Sequence, residues 1–96
     1  MLEYKELQIN TDEKICYINN VAIYLTKNEY NLLNLLLSKP NYVFSREELL
    51  NILWKGKKVT FKAVDMTIKR LREKLGKYRW NILSRFGYGY SFNTNV

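Results

Sequence analysis

The chain has 96 residues, 47% of them hydrophobic, which suffices for the core of one domain and excludes a disordered segment. It has no histidine and one cysteine, Cys16, so an internal disulfide is excluded and a reduced, cytoplasmic setting is expected, with Cys16 as a small packed residue. Net charge is +7 and unevenly spread: residues 1–54 hold 5 basic and 7 acidic side chains (−2), residues 55–96 hold 11 and 2 (+9), a field that gathers polyanions, nucleic acid first and an anionic membrane surface second.

Residues 4–25 read as a small antiparallel sheet. "YKELQI" alternates, with Tyr4, Glu6 and Gln8 on one face and Lys5, Leu7 and Ile9 on the other. "KICYI" and "VAIYL" are short and rich in β-formers, and Asn19-Asn20 between them suits a tight hairpin flanked by Ile18 and Val21. In "LTKNEYNLLNLLLSKP", Thr26 and Glu29 form a capping box, and Tyr30, Leu33, Leu36 and Leu37 follow at helical spacing until Pro40. The first helix is expected over 27–38. Ser45 and Glu48 repeat the capping box ahead of Leu49, Leu50 and Leu53, which predicts a second helix over 46–54. After Gly56 and a lysine cluster comes a third helix, over 60–76, with Thr60 as N-cap and Gly76 as its stop. Val64, Ile68, Leu71 and Leu75 make its buried stripe; Lys62, Met66, Lys69, Arg70 and Glu73 fall on the opposite side. "WNILS" and "YSFN" then flank "RFGYG" as a hairpin over 80–93, with Phe86 and Tyr88 at its tip and Phe92 packed inward. The predicted class is α+β: a leading sheet, three helices and a C-terminal β-hairpin, in the proportions of a helix-turn-helix followed by a wing, all within one domain over 1–96.

"LTKNEYNLLNLLL", "VFSREELLNILW", "AVDMTIKRLREKL" and "ILSRFGYGYSF" resemble, in order and spacing, the winged-helix effector domain of the OmpR/PhoB family, the DNA-binding halves of bacterial two-component response regulators. The resemblance covers nearly the whole chain. It implies sequence-specific double-stranded DNA binding for transcriptional regulation in a bacterial cytoplasm, within a phosphorelay. The third helix is then the recognition helix in the major groove, and the wing lies on the minor groove or the backbone. Two copies, monomeric in solution, are expected head-to-tail on direct repeats. Carried over by position, the resemblance makes Arg70 and Met66 base-contacting residues. It makes Trp54, Lys62, Thr67, Lys69, Arg72 and Tyr90 phosphate contacts. Ser84, Arg85, Phe86 and Tyr88 form the wing. Ser84 replaces the family's usual threonine, and Phe86 stands where an arginine is common. The loop between helices two and three is implicated in contacting RNA polymerase in the family; here it is short and lysine-rich, suited to phosphate contacts from Lys55, Lys57 or Lys58.

Other classes fit less well. No histidine, second cysteine or acidic pair near the glycines offers catalysis, and neither metal-ligand spacing nor a phosphate-cradling glycine loop is present, so no enzyme, metal or cofactor is expected. "LLNLLL" is too short to span a membrane, "MLEYKELQIN" lacks the pattern of a secretory leader, and no membrane partner is expected. A winged helix that binds protein is the alternative; it calls for an apolar outer face on the third helix, whereas this one reads Lys, Met, Lys, Arg, Glu. A receiver domain preceding this segment in a longer chain, and a free-standing regulator without one, both fit the residues.

Overall fold

The computed structural model describes residues 2–96. Strands β1 (Leu2–Tyr4), β2 (Leu7–Asn10), β3 (Ile15–Ile18) and β4 (Val21–Ile23) form an antiparallel sheet in that spatial order. Asn19 and Asn20 take φ of +51° and +66°, the doubly left-handed turn expected of this pair, and Ile18 faces Val21 across it. The run from Tyr4 to Ile9, expected as one alternating strand, instead folds back at Lys5-Glu6, with Lys5 at φ +54° and Tyr4 opposite Leu7. Cross-strand partners share a face, so Tyr4 and Leu7 both look inward, against the alternation of a single strand. Leu7, Ile9 and Cys16 form the buried side of the sheet, and burial pushes the Cys16 thiol pKa up to about 11.

Helices α1 (Lys27–Ser38) and α2 (Arg46–Leu53) each start with a complete capping box. The Glu29 N–H donates to the Thr26 hydroxyl at 3.2 Å and the Thr26 N–H to the Glu29 carboxylate at 2.9 Å; the equivalent distances for Ser45 and Glu48 are 3.0 and 2.8 Å. Helix α3 spans Phe61–Lys74. Thr60 precedes it in extended conformation but makes no side-chain cap, contrary to expectation. The helix also ends two residues before Gly76, which at φ +57° leads into a 3-10 segment, Gly76–Asn81. That segment takes up Trp80 and Asn81, expected in a strand. Asn81 closes the base of the hairpin instead: its amide donates to the Asn93 carbonyl at 2.8 Å, and its own carbonyl accepts the Asn93 N–H at 2.7 Å. Strands β5 (Ile82–Arg85) and β6 (Gly89–Phe92) form that hairpin.

Leu33 and Leu36 of α1, Leu49 of α2, Val64, Ile68 and Leu71 of α3, and Phe92 of β6 meet in one buried cluster. Tyr78 ties the sheet to it. The Tyr78 ring packs edge-on to Tyr4, and its hydroxyl accepts the Glu6 N–H and donates to the Glu6 carboxylate, both at 3.1 Å. The hairpin is joined to the segment entering α2 by two backbone bonds: Phe44 N–H to the Tyr90 carbonyl at 2.8 Å, and Tyr90 N–H to the Phe44 carbonyl at 2.9 Å.

Gly89 lies against this bridge at φ +141°, where an added Cβ would stand 1.9 Å from the Phe44 carbonyl oxygen. The obstacle is backbone and cannot turn aside. Gly89→Ala is therefore expected to lower unfolding free energy in urea by about 3 kcal/mol or more, while Gly87→Ala, whose Cβ meets nothing within 4 Å, pays only for its φ of +82°. Equal losses for the two variants would contradict this assignment.

Glu29, 2% exposed, also receives Lys74 of α3 at 2.6 Å. Burial alone raises a carboxyl pKa, but the Lys74 ammonium and the Thr26 N–H outweigh it, and Glu29 sits below its usual value. A depressed carboxyl contributes stability above its unfolded pKa and loses it as pH falls through the folded pKa. The melting-temperature gap between the natural chain and Glu29→Gln should thus be fully open near neutral pH and close as pH falls below about 4. A gap unchanged down to about pH 2.5 would mean the lysine pairing contributes nothing.

Candidate nucleic-acid interface

Helix α3 buries Val64, Ile68 and Leu71, and the same periodicity leaves Lys62, Lys69, Arg70 and Glu73 exposed, with Met66 half-buried among them. Lys62, Lys69 and Arg70 have no ion pair among the described residues. This strip has the dimensions of a 14-residue helix, about 21 Å long at 1.5 Å per residue. A helix of that calibre fits the ≈ 12 Å major groove of B-form DNA. Beside it stands the hairpin. Arg85↔Gly89 is its last pair, so Phe86, Gly87 and Tyr88 form a three-residue tip, closed by the Tyr88 N–H donating to the Arg85 carbonyl at 2.8 Å. Phe86 and Tyr88 are exposed, as expected for the tip, and Arg85 beside them is exposed too.

Between the hairpin tip and the first turns of α2 and α3 runs an open groove of about 590 Å³, lined among others by Arg46, Phe61, Ser84 and Phe86. Arg46 and Phe61 did not stand out in the sequence. Their signal is position alone: each is the first residue of its helix, where N–H groups converge on an anion. Lys55, Lys57 and Lys58, in the turn after α2, are exposed as well.

Several residues expected at phosphates also make contacts inside the fold. Thr67 is 7% exposed, and its hydroxyl donates to the Ala63 carbonyl at 2.8 Å, which spends its one proton inside the helix. The Tyr90 hydroxyl donates to Asp65 at 2.6 Å, and its only proton is likewise spent. Burial first, and the Asp65 carboxylate second, push the Tyr90 pKa above its ordinary value, so the phenol stays a donor. Arg46 meets the same Asp65 oxygen at 3.0 Å. Trp54, 6% exposed, closes α2 and packs in the core. Arg72 grips the hairpin: it donates to the Ile82 carbonyl at 3.1 and 2.7 Å and to the Ser84 hydroxyl at 2.9 Å. Ser84 of the wing, exposed, is thus also engaged by α3. Arg72 with Ile82 and Ser84, and Asp65 with Tyr90 and Arg46, thus tie α3, the hairpin and the start of α2 together, while Lys62, Lys69 and Arg70 present exposed side chains and Met66 is half-buried among them.

Among the described residues no helix is long and apolar enough to cross a membrane, and no cluster of metal-ligating side chains is found.

Residues 20–92 match the family model described as "Transcriptional regulatory protein, C terminal". The chain is 37% identical over 97 aligned positions to the transcriptional regulatory protein SrrA of Staphylococcus aureus, with 96% of this chain and 40% of SrrA covered. Among solved structures, the DNA-binding domain of the response regulator AdeR, crystallised in complex with an intercistronic region, superposes with a TM-score of 0.86 at 28% identity, covering 97% of this chain and 98% of that one. DrrB of Thermotoga maritima, an OmpR/PhoB homologue, superposes with a TM-score of 0.87 at 28% identity over 95% of this chain and 43% of its own. The chain thus spans less than half the length of SrrA and DrrB. With the sheet, the three helices and the hairpin in the same order and the family model matched from the Asn19-Asn20 turn to Phe92, the chain belongs to the C-terminal, winged-helix domain family of OmpR/PhoB-type transcriptional regulators.

Proposed function

We propose that this segment binds double-stranded DNA sequence-specifically to regulate transcription, as the effector part of a two-component response regulator in a bacterial cytoplasm. The observation that carries the reading is the solvent face of α3: Lys62, Lys69 and Arg70 are exposed and without ion pairs among the described residues, in a fold whose hairpin tip exposes Arg85, Phe86 and Tyr88. A protein-docking helix would offer an apolar face there. In this reading Arg70 donates a bidentate pair to guanine O6 and N7, Met66 packs on a thymine methyl, and Lys62 and Lys69 meet phosphates. Arg46, at the start of α2, and Lys55, Lys57 and Lys58 add phosphate contacts along the same strand. Trp54 offers its indole N–H to a phosphate, while Thr67, Arg72 and Tyr90, whose donors are engaged inside the fold, act chiefly by fixing the elements that carry those groups.

The match to less than half of longer relatives supports a companion receiver domain in the complete protein. Two copies then sit head-to-tail on direct repeats about one helical turn apart.

Fluorescence-anisotropy titration of a random-sequence duplex at several salt concentrations, with single strand as competitor, tests the reading. Binding should weaken steeply with salt and resist the single strand. On a site enriched from the pool, Arg70→Ala should cost about 1–3 kcal/mol and leave random-sequence affinity much less changed. Lys69→Ala should weaken all sequences evenly and flatten the salt slope by about one unit. Identical behaviour of the two variants on every sequence would refute the assigned roles.

A further inference from the structure

The hairpin tip holds a feature that phosphate and major-groove contacts leave unused. Phe86 is fully exposed, and Tyr88 two residues on is 73% exposed. Water-facing aromatic rings at the apex of a loop cost solvation and stabilise nothing in the isolated domain. The loop is also not slack. Its strands pair as far as Arg85↔Gly89, the Tyr88 N–H closes it, the bridge to Phe44 anchors its inner strand, and Arg72 holds its outer strand at Ile82 and Ser84. A rigid strut therefore carries an apolar ring at its end, with the Arg85 guanidinium next to it and the cationic strip of α3 alongside.

We propose that Phe86 is an apolar wedge for the DNA minor groove beside the major-groove site, and that it selects for a deformable base step. This rests on the duplex-binding reading above. Side chains of this kind enter the minor groove by partly unstacking one step and kinking the duplex toward the major groove. The unstacking is least costly at pyrimidine–purine steps such as TA and CA/TG, and most costly in stiff A-tracts. Arg85 and the unpaired cations of α3 supply the attraction that brings the groove to the tip, and the ring supplies the preference. A guanidinium at the same point would select the opposite way, because the narrow, strongly negative minor groove of an A-tract favours a cation. Three residues thus divide the work: Arg85 for charge, Phe86 for insertion, and Tyr88 as the second ring bracing the groove wall.

The test uses the 96-residue chain and duplexes enriched from a random pool, rebuilt with a TA step, a CA step or an A-tract in the minor groove next to the enriched major-groove site. End-to-end energy transfer reads the bend and anisotropy reads affinity. The natural chain should bend the TA and CA duplexes and bind them about tenfold tighter than the A-tract, because the step that must open is flexible in the former and stiff in the latter. Phe86→Ser should fold with an unchanged melting temperature, lose the bend and cut the preference to about twofold or less, while Phe86→Arg should invert it toward the A-tract. Phe86→Ser bending and discriminating like the natural chain would overturn the wedge and leave duplex binding intact. Failure of the natural chain to bind any duplex would overturn the wedge and the duplex-binding reading together.

Discussion

Two backbone hydrogen bonds between Phe44 and Tyr90 set where the hairpin stands relative to α2 and α3. They are possible because residue 89 has no side chain: any Cβ there would occupy the space of the Phe44 carbonyl. From that contact the other placements follow. The Tyr90 side chain is aimed at Asp65 of α3, and Asp65 in turn receives Arg46 at the head of α2. Across the hairpin, Ser84 and the Ile82 carbonyl come within reach of Arg72. One carboxylate, Asp65, and two guanidinium groups, Arg46 and Arg72, thus lock three elements whose relative positions set the shape of the groove between wing and helices. The groups involved are polar because each must be satisfied in a partly buried place, and each buried donor has an acceptor to match.

The uneven charge of the chain has two structural uses. Glu6 meets Lys77 and Glu29 meets Lys74, so the acidic first half is tied to the basic second half at two points away from the hairpin. Arg46 and Asp65 make the reverse pairing beside it. Pairing in this way neutralises Lys74 and Lys77 and leaves Lys62, Lys69 and Arg70 of α3, the lysines of the turn after α2 and Arg85 of the wing without ion pairs among the described residues. Exposed pairs such as Lys77 with Glu6 add little stability themselves. Their larger effect is on the field, which becomes one-sided, and a one-sided field orients a polyanion before any contact is made.

Much of this order was legible in the residues. Thr26 with Glu29 and Ser45 with Glu48 announce their helices because a capping box is local chemistry, complete within four residues. Asn19-Asn20 announces its turn for the same reason: asparagine tolerates the left-handed conformation that the turn requires. The turn at Lys5-Glu6 was hidden, since lysine carries no turn signal and the alternation of Tyr4 to Ile9 imitates a strand. Thr60 looked like a cap but makes no bond, and Trp80-Asn81 looked like a strand but is held by Asn93 from the far end of the hairpin. Within the site, exposure of Lys62, Lys69 and Arg70 follows from helical period alone. The inward use of Thr67, Arg72 and Tyr90 does not, because it depends on an acceptor in the folded chain: Ala63 one turn back, Ile82 and Ser84 in the hairpin, Asp65 on α3.

Stability and chemistry are separated along the hairpin itself. The constraint lies at Gly89 and Tyr90, where backbone meets backbone; the exposed chemistry lies three or four residues earlier, at Arg85 and Phe86. A fully exposed side chain contributes nothing to packing, so substitution at Phe86 changes folding free energy by about 0.5 kcal/mol or less. The tip can therefore exchange an arginine for a phenylalanine without loosening the fold, provided the glycine behind it stays. That freedom is what a reader of DNA shape requires: the backbone delivers a fixed point at a fixed distance from the recognition helix, and one side chain decides whether the point is a charge for a narrow groove or a ring for a step that opens.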